Sequence, residues 1–428
     1  MIYTEAVDYI HSLLKFGIRP GLYGMDALLR LLGNPHKGLK YVHVAGTNGK
    51  GSTSTAISNV LIEAGYRVGL YTSPYVNHFL ERVQFSGKPV DEDVFAKSVE
   101  KVKVAVESLE KDGVTITEFE ALTAAAFLCY KALCCDIVVL EVGLGGRLDA
   151  TNIIENPLVN VITSLSIDHS AILGNTIEEI AFEKCGTIKE NGNLVCSYGQ
   201  PAGALDVIRK TVDDRGNTLV IPDTKDVKIS KSDVFGTVFT YKNKEYSVRM
   251  AGAHQVKNMT CVIEACEILS EIFDISQEHI TNGIAKTILP ARVEVISRKP
   301  LVILDGGHNE DGAKAFFDAV SPVIKTKKRL VVIAGMMGDK AVEKSLTPLM
   351  ECTDIFYAVT PENPRAMTAK ELSDIARKYI GEVYAIDEIS KAVNAACESV
   401  DDDTALFVVG SLYLAGEVRH TLLENFKY

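Results

Sequence analysis

The segment VHVAGTNGKGSTST, residues 42–55, constrains the fold of this chain more than any other stretch. It joins a short apolar run to a helical pattern through a loop that holds Gly46, Gly49 and Gly51 around Lys50. Glycine at the start of a helix costs stability, so it is kept where the backbone needs an unusual conformation or must stay uncovered by side chains. The pattern predicts a buried strand, a tight loop and a helix in direct succession.

Apolar runs of strand length alternate with helical patterns along the first half of the chain. The predicted strands lie at 40–45, 67–73, 136–142 and 158–164, and the predicted helices at 52–65, 91–110 and 118–133. Continuous apolar runs are typical of strands that are buried on both faces of a parallel sheet. Strands and helices that alternate in this way predict a doubly wound α/β domain.

Residues 226–249 break this rhythm, since polar and apolar residues alternate there, and they predict a small antiparallel patch with turns at 232–233 and 242–243. Helical patterns return at 254–271 and 275–288, and Pro290 ends them. Five further apolar runs after Pro290 predict a second α/β unit. We therefore expect two domains, residues 1–289 and residues 290–428.

The composition narrows the class of protein. A net charge of −11 argues against nonspecific binding of nucleic acid, which requires a basic face. No apolar run reaches the length of roughly 18 residues that a membrane span needs, and Glu5 and Asp8 stand where a signal peptide would carry positive charge. The nine cysteines are odd in number and contain no CxxC pair, which predicts free thiols. We expect a cytoplasmic monomer that binds neither nucleic acid nor membrane.

The glycine loop is typical of a phosphate-binding site. Small residues after a buried strand let backbone N–H groups converge on a phosphate, and the helix that follows adds its positive N-terminal end. Lys50 would reach the outer phosphates and Ser52 would meet Mg²⁺. Val44 stands where the P-loop pattern has its first glycine, and Gly51 displaces the hydroxyl by one position. A glycine-rich turn without a ligand is the alternative.

Two acidic positions follow buried apolar runs in the two predicted domains. Glu141 ends the run at 136–142, and Asp305 follows the run that begins at 301, with His308 close behind. Ligands of open α/β sheets bind at the carboxyl ends of the strands, and a carboxylate there suits Mg²⁺. A helix cap or an ion pair is the alternative for Glu141.

A set of motifs spread over almost the whole chain resembles one family. The motifs are YIHSLLKFGIRPGL, GTNGKGS, TSPYVNHFLERV, TEFEALTAAAF, EVGLGGRLDATN, DHSAILG, AFEKCGTIK, GAHQVKN, LPARVEV, DGGHNEDGA and GSLYLAGEVR. In this order they resemble the folylpolyglutamate synthase and dihydrofolate synthase family of the Mur-ligase superfamily. The resemblance implies a P-loop-containing central domain with a mostly parallel sheet at 1–289 and a C-terminal Rossmann-like, glutamate-binding α/β domain at 290–428.

The resemblance implies an ATP-dependent ligase that adds L-glutamate to the γ-carboxylate of reduced folates through an acyl phosphate. Whether it also joins glutamate to dihydropteroate is open at this point. The implied cofactors are ATP and Mg²⁺, and the implied partners are small molecules. Another amide ligase of the same superfamily, or a P-loop nucleotide-binding protein without ligase activity, is the alternative.

The resemblance also implies roles for single residues. The implied ATP-binding residues are Gly46, Thr47, Asn48, Gly49, Lys50, Gly51, Ser52, Asn258, Arg292 and Asp305. The implied metal ligands are Ser52, Ser73, Glu141 and His169. From the residues alone, a structural histidine at His169 and a salt bridge between domains at Arg292 are the alternatives.

Three further roles come from the same resemblance. Lys184 is similar to a family lysine that reacts with CO₂ to form a carbamate, although the pattern alone also fits a lysine on a helix surface. Asp305 and His308, together with Lys50 and Lys184, are the implied catalytic residues, and the first two would orient the ammonium of glutamate or accept its proton. The implied folate-binding residues are Thr117, Glu118, Phe119, Glu120, Leu148, Asp149 and Ala150. A core position is the alternative for Phe119.

Overall fold

A computed structural model describes residues 1–17, 19–338 and 342–426. Contacts divide the chain into two compact units. The first unit comprises Met1–Pro74, Phe79–Lys225 and Lys257–Thr287. The second comprises Tyr75–His78, Asp226–Val256 and the chain from Ile288 onward.

The described residues form helices and strands that alternate over most of the chain. The α-helices are α1 (Tyr3–Ser12), α2 (Tyr23–Leu31), α3 (Lys50–Glu63), α4 (Glu92–Lys111), α5 (Glu118–Ala132), α6 (Ser170–Leu173), α7 (Ile177–Cys185), α8 (Ala202–Asp214), α9 (Ala253–Leu269), α10 (Gln277–Ala285), α11 (Glu310–Ile324), α12 (Val342–Met350), α13 (Ala369–Ala376), α14 (Ile389–Glu398) and α15 (Leu412–Asn425). Short 3-10 helices cover Leu13–Phe16, Phe79–Arg82, Ala150–Ile153 and Thr224–Asp226. The strands are β1 (Tyr41–Ala45), β2 (Val68–Tyr71), β3 (Val83–Phe85), β4 (Lys88–Pro89), β5 (Ile137–Glu141), β6 (Val159–Ile162), β7 (Asn193–Cys196), β8 (Thr218–Val220), β9 (Lys228–Asp233), β10 (Gly236–Tyr241), β11 (Lys244–Val248), β12 (Glu294–Arg298), β13 (Leu301–Leu304), β14 (Arg329–Ala334), β15 (Ile355–Ala358), β16 (Glu382–Ala385) and β17 (Thr404–Val409).

The first unit is built on an eight-stranded sheet in the order β4-β3-β2-β5-β1-β6-β7-β8. The strands from β2 to β8 in this order pair in parallel, and β3 and β4 extend the sheet in antiparallel fashion. Every residue of β1, β2, β5 and β6 is buried, as continuous apolar runs predict for the centre of a parallel sheet. The predicted strands of this region and its α/β class are confirmed.

The second unit is built on a six-stranded sheet in the order β12-β13-β17-β14-β15-β16. All pairs are parallel except β12 with β13. One face packs in a hydrophobic cluster that includes Phe316 and Phe407, whose rings meet edge to face with centroids 5.6 Å apart. The second α/β unit predicted from the apolar runs is confirmed.

The predicted antiparallel patch exists as a three-stranded sheet in the order β11-β10-β9. Its first turn lies at Val234 and Phe235, after the predicted turn position 232–233, because β9 continues to Asp233. Val234 and Ala251 belong to the same hydrophobic cluster as Phe316. The segment Asp226–Val256 therefore groups with the second unit, whereas the sequence placed it within residues 1–289.

All nine cysteines are free thiols, as their number and spacing predict. Most are buried; Cys134 and Cys352 are exposed. Within the described ranges, no helix has both the length and the apolar character needed to span a membrane.

Candidate active site

The loop after β1 has a backbone that only glycine adopts readily. Gly46 has a φ of 150° and Gly49, the residue before α3, has a φ of 91°. A Cβ atom at Gly46 would overlap the side chain of Thr163, and one at Gly49 would overlap Asn258. The glycines are therefore required both by the conformation and by the close approach of neighbouring side chains.

The loop is anchored on one side and open on the other. The amides of Thr47 and Asn48 donate to the carbonyl of Ser164 at 2.9 Å and 3.2 Å, so these two N–H groups hold the loop in place. The first backbone hydrogen bond of α3 runs from Thr53 N–H to Gly49. The N–H groups of Lys50, Gly51 and Ser52 precede it, and a helix offers such groups to an anion.

Two lysines converge on the carbonyl oxygen of Gly46. Lys50 Nζ donates to this oxygen at 3.2 Å and to the carbonyl of Thr47 at 3.2 Å. Lys184 Nζ, on α7, donates to the Gly46 oxygen at 2.8 Å. The loop therefore has two amine groups within one hydrogen-bonded cluster, and Lys50 supplies positive charge of the kind that a polyphosphate needs.

Lys184 is not the helix-surface lysine that its sequence pattern also allowed. Its side chain is 4% exposed. Burial, followed by repulsion from Lys50, lowers the pKa of Lys184 to about 7. A large fraction of this amine is therefore neutral near neutral pH, and a neutral amine is the form that reacts as a nucleophile.

Ser73 and Glu141 lie together at the carboxyl edge of the sheet. Glu141 ends β5 and is 4% exposed, and the Ser73 N–H donates to its Oε2 at 3.2 Å. Ser73 follows β2, which neighbours β5, and β5 neighbours β1, the strand that leads into the glycine loop. Four adjacent parallel strands, β2, β5, β1 and β6, thus deliver the predicted phosphate and metal residues to one edge.

Ser52 and His169 complete the predicted metal set. Ser52 is buried in the first turn of α3. His169 follows β6, is exposed, has a φ of 51°, and its N–H donates to Asp168 Oδ1 at 2.8 Å. In the part of the chain that the structure describes, no group of three or more His, Cys, Asp or Glu side chains is arranged to hold a metal ion.

Two predicted folate residues shape the start of α5. Thr117 and Glu120 form a capping box, in which Thr117 Oγ1 accepts from the Glu120 N–H at 3.3 Å and the Thr117 N–H donates to Glu120 Oε2 at 2.9 Å. Both are buried, and burial raises the pKa of Glu120. Their hydrogen bonds fix the direction of the helix and hold the residues between them in place.

Those intervening residues, Glu118 and Phe119, meet a side chain that the sequence did not single out. Arg82 is buried, and its Nη1 lies 3.0 Å from Glu118 Oε1. Its guanidinium carbon lies 5.8 Å from the centre of the Phe119 ring. The centre of the Tyr71 ring also lies 5.8 Å from the centre of the Phe119 ring. Phe119 is half-buried rather than a core residue. The motif that ends in LERV contained Arg82, but only burial reveals its part in the site.

The loop between β5 and the 3-10 helix at Ala150–Ile153 is organised by Asp149. Its Oδ2 accepts from the Leu144 N–H at 2.9 Å, and its Oδ1 accepts from Thr151 N–H and Oγ1 at 3.0 Å and 2.6 Å. Burial raises the pKa of Asp149. Leu148 accepts a backbone bond from Gly21, and Ala150 is buried. Because a Cβ at Gly143 would overlap Phe119, this loop and the start of α5 are in contact.

In the second unit, Asp305 follows β13 as predicted and is buried. It accepts from the N–H groups of Val293 and Gly307 at 2.9 Å and 2.8 Å. Burial raises its pKa, while the charge of Arg292 opposes that rise. His308 Nδ1 lies 3.4 Å from the carbonyl oxygen of Gly306. The predicted carboxylate, imidazole and guanidinium thus belong to one neighbourhood of this unit.

Arg292 lies between two residues with positive φ, Ala291 at 54° and Val293 at 48°. Such a φ is strained for a β-branched residue and persists only where the surroundings hold it. Here Asp305 accepts from Val293, and Glu294 Oε2 accepts from the Ala291 N–H at 2.9 Å. The strained segment fixes the backbone from which the Arg292 side chain projects.

Two protein-family models match this chain and identify the class of protein to which the fold and the loop belong. The Mur ligase middle domain model matches residues 44–266, and the Mur ligase, glutamate ligase domain model matches residues 291–412. The fold and the glycine loop are therefore those of a Mur ligase.

Full-length relatives narrow the class further. The dihydrofolate synthase/folylpolyglutamate synthase of Bacillus subtilis (strain 168) is 36% identical over 98% of this chain and 99% of its own length. The folylpolyglutamate synthase of Lacticaseibacillus casei is 34% identical, with 99% of each chain covered. The solved structure of E. coli FolC in complex with DHPP and ADP has a TM-score of 0.84 and 28% identity, covering 99% of this chain and 98% of that one. The chain belongs to the folylpolyglutamate synthase and dihydrofolate synthase family of Mur ligases.

Proposed function

We propose that this chain is an ATP-dependent ligase that adds L-glutamate to the γ-carboxylate of a reduced folate. The observation that carries the proposal is the glycine loop, where two lysines meet the Gly46 carbonyl beside an uncapped helix N-terminus. The names of the Bacillus subtilis and Lacticaseibacillus casei relatives supply the substrate class. We assign ATP binding to residues 1–289 and glutamate binding to residues 290–428, in keeping with the two matched domain models.

The reaction proceeds in two balanced steps. A carboxylate oxygen of the folate attacks the γ-phosphorus of ATP, so that a new O–P bond forms, the bond to the bridging oxygen breaks, and ADP leaves. The amine of glutamate then attacks the acyl carbon, a C–N bond forms, the C–O bond to phosphate breaks, and the amine loses its proton. Negative charge builds on phosphoryl oxygens in the first step, and fixed positive groups stabilise it.

The first unit supplies those positive groups. Lys50 and the N–H groups of Lys50, Gly51 and Ser52 would bind the phosphates, while the amides of Thr47 and Asn48 keep the loop in shape. Asn258, which packs against Gly49, would contact the nucleotide from α9. Magnesium, when bound, would neutralise phosphate charge. The oxygen donors Ser52, Ser73 and Glu141 fit a hard cation, with His169 as a nitrogen donor at the same sheet edge.

We further assign a carbamate to Lys184. A neutral amine attacks CO₂, a C–N bond forms and a proton is released, so a cation becomes an anion. Burial of Lys184 and its pKa of about 7 favour the neutral amine that this reaction needs. The carbamate would then add an oxygen ligand beside the magnesium.

The acceptor sites divide between the two units. Phe119, with Glu118, Leu148, Asp149 and their capping neighbours, would line the pterin site in the first unit. In the second unit, Asp305 and His308 would orient the ammonium of glutamate and accept its proton, and Arg292 would contact the phosphates. Buried Asp305 retains acceptor capacity beyond its two backbone bonds, since each carboxylate oxygen has two lone pairs.

A second activity has specific support. Three of the relatives carry a combined name that includes dihydrofolate synthase, and the E. coli FolC structure holds DHPP. We therefore propose that the chain also joins glutamate to dihydropteroate.

One assay separates these possibilities. Purified protein with ATP, Mg²⁺ and glutamate is given either tetrahydrofolate or dihydropteroate, and product mass and phosphate release are both measured. Product with tetrahydrofolate supports the main proposal, and product with dihydropteroate supports the second. If the protein binds nucleotide but forms no product with either acceptor, the folate ligase is excluded, and a nucleotide-binding protein without ligase activity is the remaining interpretation.

A further inference from the structure

A series of buried hydrogen bonds connects β1 to the loop at residues 143–149, which is called the folate loop below because it is assigned to the folate site. His43, in the middle of β1, is 0% exposed, and its Nε2 lies 2.9 Å from Thr151 Oγ1. Thr151 is also 0% exposed, and its Oγ1 lies 2.6 Å from Asp149 Oδ1. No role in the reaction has been given to His43 or Thr151 so far, yet they are fully buried polar groups.

The donors and acceptors of this chain follow from simple counting. Burial raises the pKa of Asp149, whereas both of its oxygens accept backbone N–H groups, from Leu144 and Thr151; these bonds favour the ionised carboxylate, which is an acceptor only. The single O–H of Thr151 therefore donates to Asp149. The Thr151 oxygen must then accept from His43, so the proton of the imidazole is on Nε2 and Nδ1 is an acceptor.

The charge state of His43 agrees with this tautomer. Burial, followed by the charge of Lys189, lowers the pKa of His43 to about 3. The ring is thus neutral at neutral pH, with one donor and one acceptor nitrogen. A neutral ring with a fixed tautomer holds one orientation of the Thr151 hydroxyl.

The acceptor side of His43 faces a second buried polar residue. Asn160 on β6 is the register neighbour of His43 and is 1% exposed. Across the described ranges, His43 Nδ1, Asn160 Nδ2 and Asn160 Oδ1 have no hydrogen-bond partner in the protein. Register neighbours on adjacent parallel strands project from the same face of the sheet, so the buried amide of Asn160 lies on the same face as the His43 ring.

The hydrogen bonds from His43 through Thr151 to Asp149 lie between β1, which leads into the glycine loop, and the loop at residues 143–149. Gly46 follows His43 closely on the same chain segment, and Gly46 contacts both loop lysines. At the other end, Asp149 holds the 143–149 loop, whose Gly146 packs against the backbone of Glu183 and Lys184. The hydrogen bonds therefore link the glycine loop to the loop assigned to folate.

We propose that His43 is a positioning residue for the loop at residues 143–149, acting through Thr151 and Asp149. The Nε2–H of His43 fixes the Thr151 hydroxyl on Asp149, and Asp149 then keeps residues 143–149 in the shape that receives the acceptor substrate. This inference rests on the proposed folate function of that loop. The hydrogen bonds between His43, Thr151 and Asp149 and the tautomer of His43 do not depend on that function.

The first test is spectroscopic and uses the wild-type protein. With ¹⁵N- and ¹³C-labelled histidine, His43 is expected to show the neutral Nε2–H tautomer and no titration between pH 5 and 8. Assignment of the signal by comparison with the His43→Gln variant identifies the residue. An Nδ1–H tautomer, or titration within this range, would overturn the inference even if folate ligation is intact.

The second test uses matched pairs of variants. Thr151→Val and His43→Leu remove the chain, whereas Thr151→Ser and His43→Gln keep a hydroxyl and a donor in similar places. We expect the first pair to raise KM for the folate acceptor about tenfold, as loss of one buried hydrogen bond does, with KM for ATP nearly unchanged. The second pair is expected to restore most of that loss.

Two outcomes would contradict the inference. Equal increases in both KM values would indicate general disruption of the sheet, and failure of Thr151→Ser to restore binding would show that the hydroxyl is not the relevant group. If the wild-type protein ligates no folate acceptor, the proposed function fails instead, and the tautomer measurement still decides the hydrogen bonds. If His43→Leu does not fold, the Thr151 pair carries the kinetic test.

Discussion

Two loops of this molecule follow buried parallel strands and precede helices, and their helix N-termini differ. The loop after β1 leads into α3, whose N-terminus has no side-chain cap and is preceded by Gly49 with positive φ. The loop after β13 leads into α11, where Asn309 Oδ1 accepts from the Gly312 N–H at 2.8 Å. The first helix end is open to an anion, and the second is partly satisfied by its own side chain.

The charged side chains near the two loops also differ, and like the helix ends they favour an anion at the first loop and a cation at the second. Lysines 50 and 184 surround the first loop, while the second holds buried Asp305, which accepts two backbone N–H groups. A cationic loop with open amides suits a polyphosphate, and a buried carboxylate suits an ammonium group. The same strand–loop–helix unit therefore presents opposite charge in the two places, according to its cap and its nearest charged side chains.

The sharpest test of the comparison is removal of the loop cation. Lys50→Ala is expected to lower kcat for phosphate release about 1,000-fold, since one group that stabilises transition-state charge is worth about that much. The fold is expected to persist, because the half-buried Lys50 side chain donates to two carbonyl oxygens of its own loop and belongs to no hydrophobic core.

Steady-state phosphate release and thermal unfolding of the same sample check this prediction. Lys97→Ala, on the exposed surface of α4, is the matched control and should leave both quantities unchanged. Turnover within about tenfold of wild type in Lys50→Ala would show that the cation does not serve the reaction.

A second test compares glycine in the two loops. Gly46→Ala is expected to lower the free energy of unfolding by about 2 kcal/mol, because of its positive φ and the overlap with Thr163. Gly307→Ala, beside Asp305, needs no positive φ, and its Cβ would lie 2.7 Å from Asp305 Oδ1 and 3.3 Å from the backbone of Gly312, so it should cost less than Gly46→Ala, about 1 kcal/mol. Urea unfolding of both variants against wild type measures the difference.

Equal losses in the two alanine variants would show that the first loop needs no special backbone. The comparison would then rest on charge alone.

A third expected effect concerns the pH dependence of stability. The pKa of Lys184 is lowered from 10.5 to about 7 in the folded protein, so the unfolded chain binds more protons between these values. Stability from this group is therefore present above 10.5, and it is lost as pH falls through about 7. Lys184→Met should reduce the slope of unfolding free energy against pH by up to about 1.4 kcal/mol per pH unit in this window.

Urea unfolding at pH 7, 8 and 9 in CO₂-free buffer checks this slope. Asp305 supplies the opposite sign, since its raised pKa contributes stability at low pH that is lost as pH rises through the folded value. This effect begins at the ordinary carboxyl pKa of 3.8, so urea unfolding from pH 4 upward should show a fall in stability that Asp305→Asn removes. Identical slopes for wild type and Lys184→Met would show that the lysine is not held as a buried, easily deprotonated amine.

Much of the fold was predictable because burial leaves a local record in sequence. The runs at 136–142 and 158–164 are mostly apolar, since their strands, β5 and β6, are buried on both faces. The glycine loop was predictable because Gly46 and Gly49 cost stability unless the backbone requires them. The grouping of Asp226–Val256 with the second unit could not be predicted from the sequence, because it depends on the packing of Val234 against residues far along the chain.

The sequence by itself determined the alternation of strands and helices, the place of the phosphate loop and the family of this protein. Only the tertiary structure decided that Lys184 is buried beside Lys50, that Arg82 meets Phe119, and that His43 reaches Asp149 through Thr151. The reason is physical. Local periodicity reports which side of an element faces the core, whereas the pKa of an amine or the tautomer of an imidazole depends on groups that are brought together from distant parts of the chain.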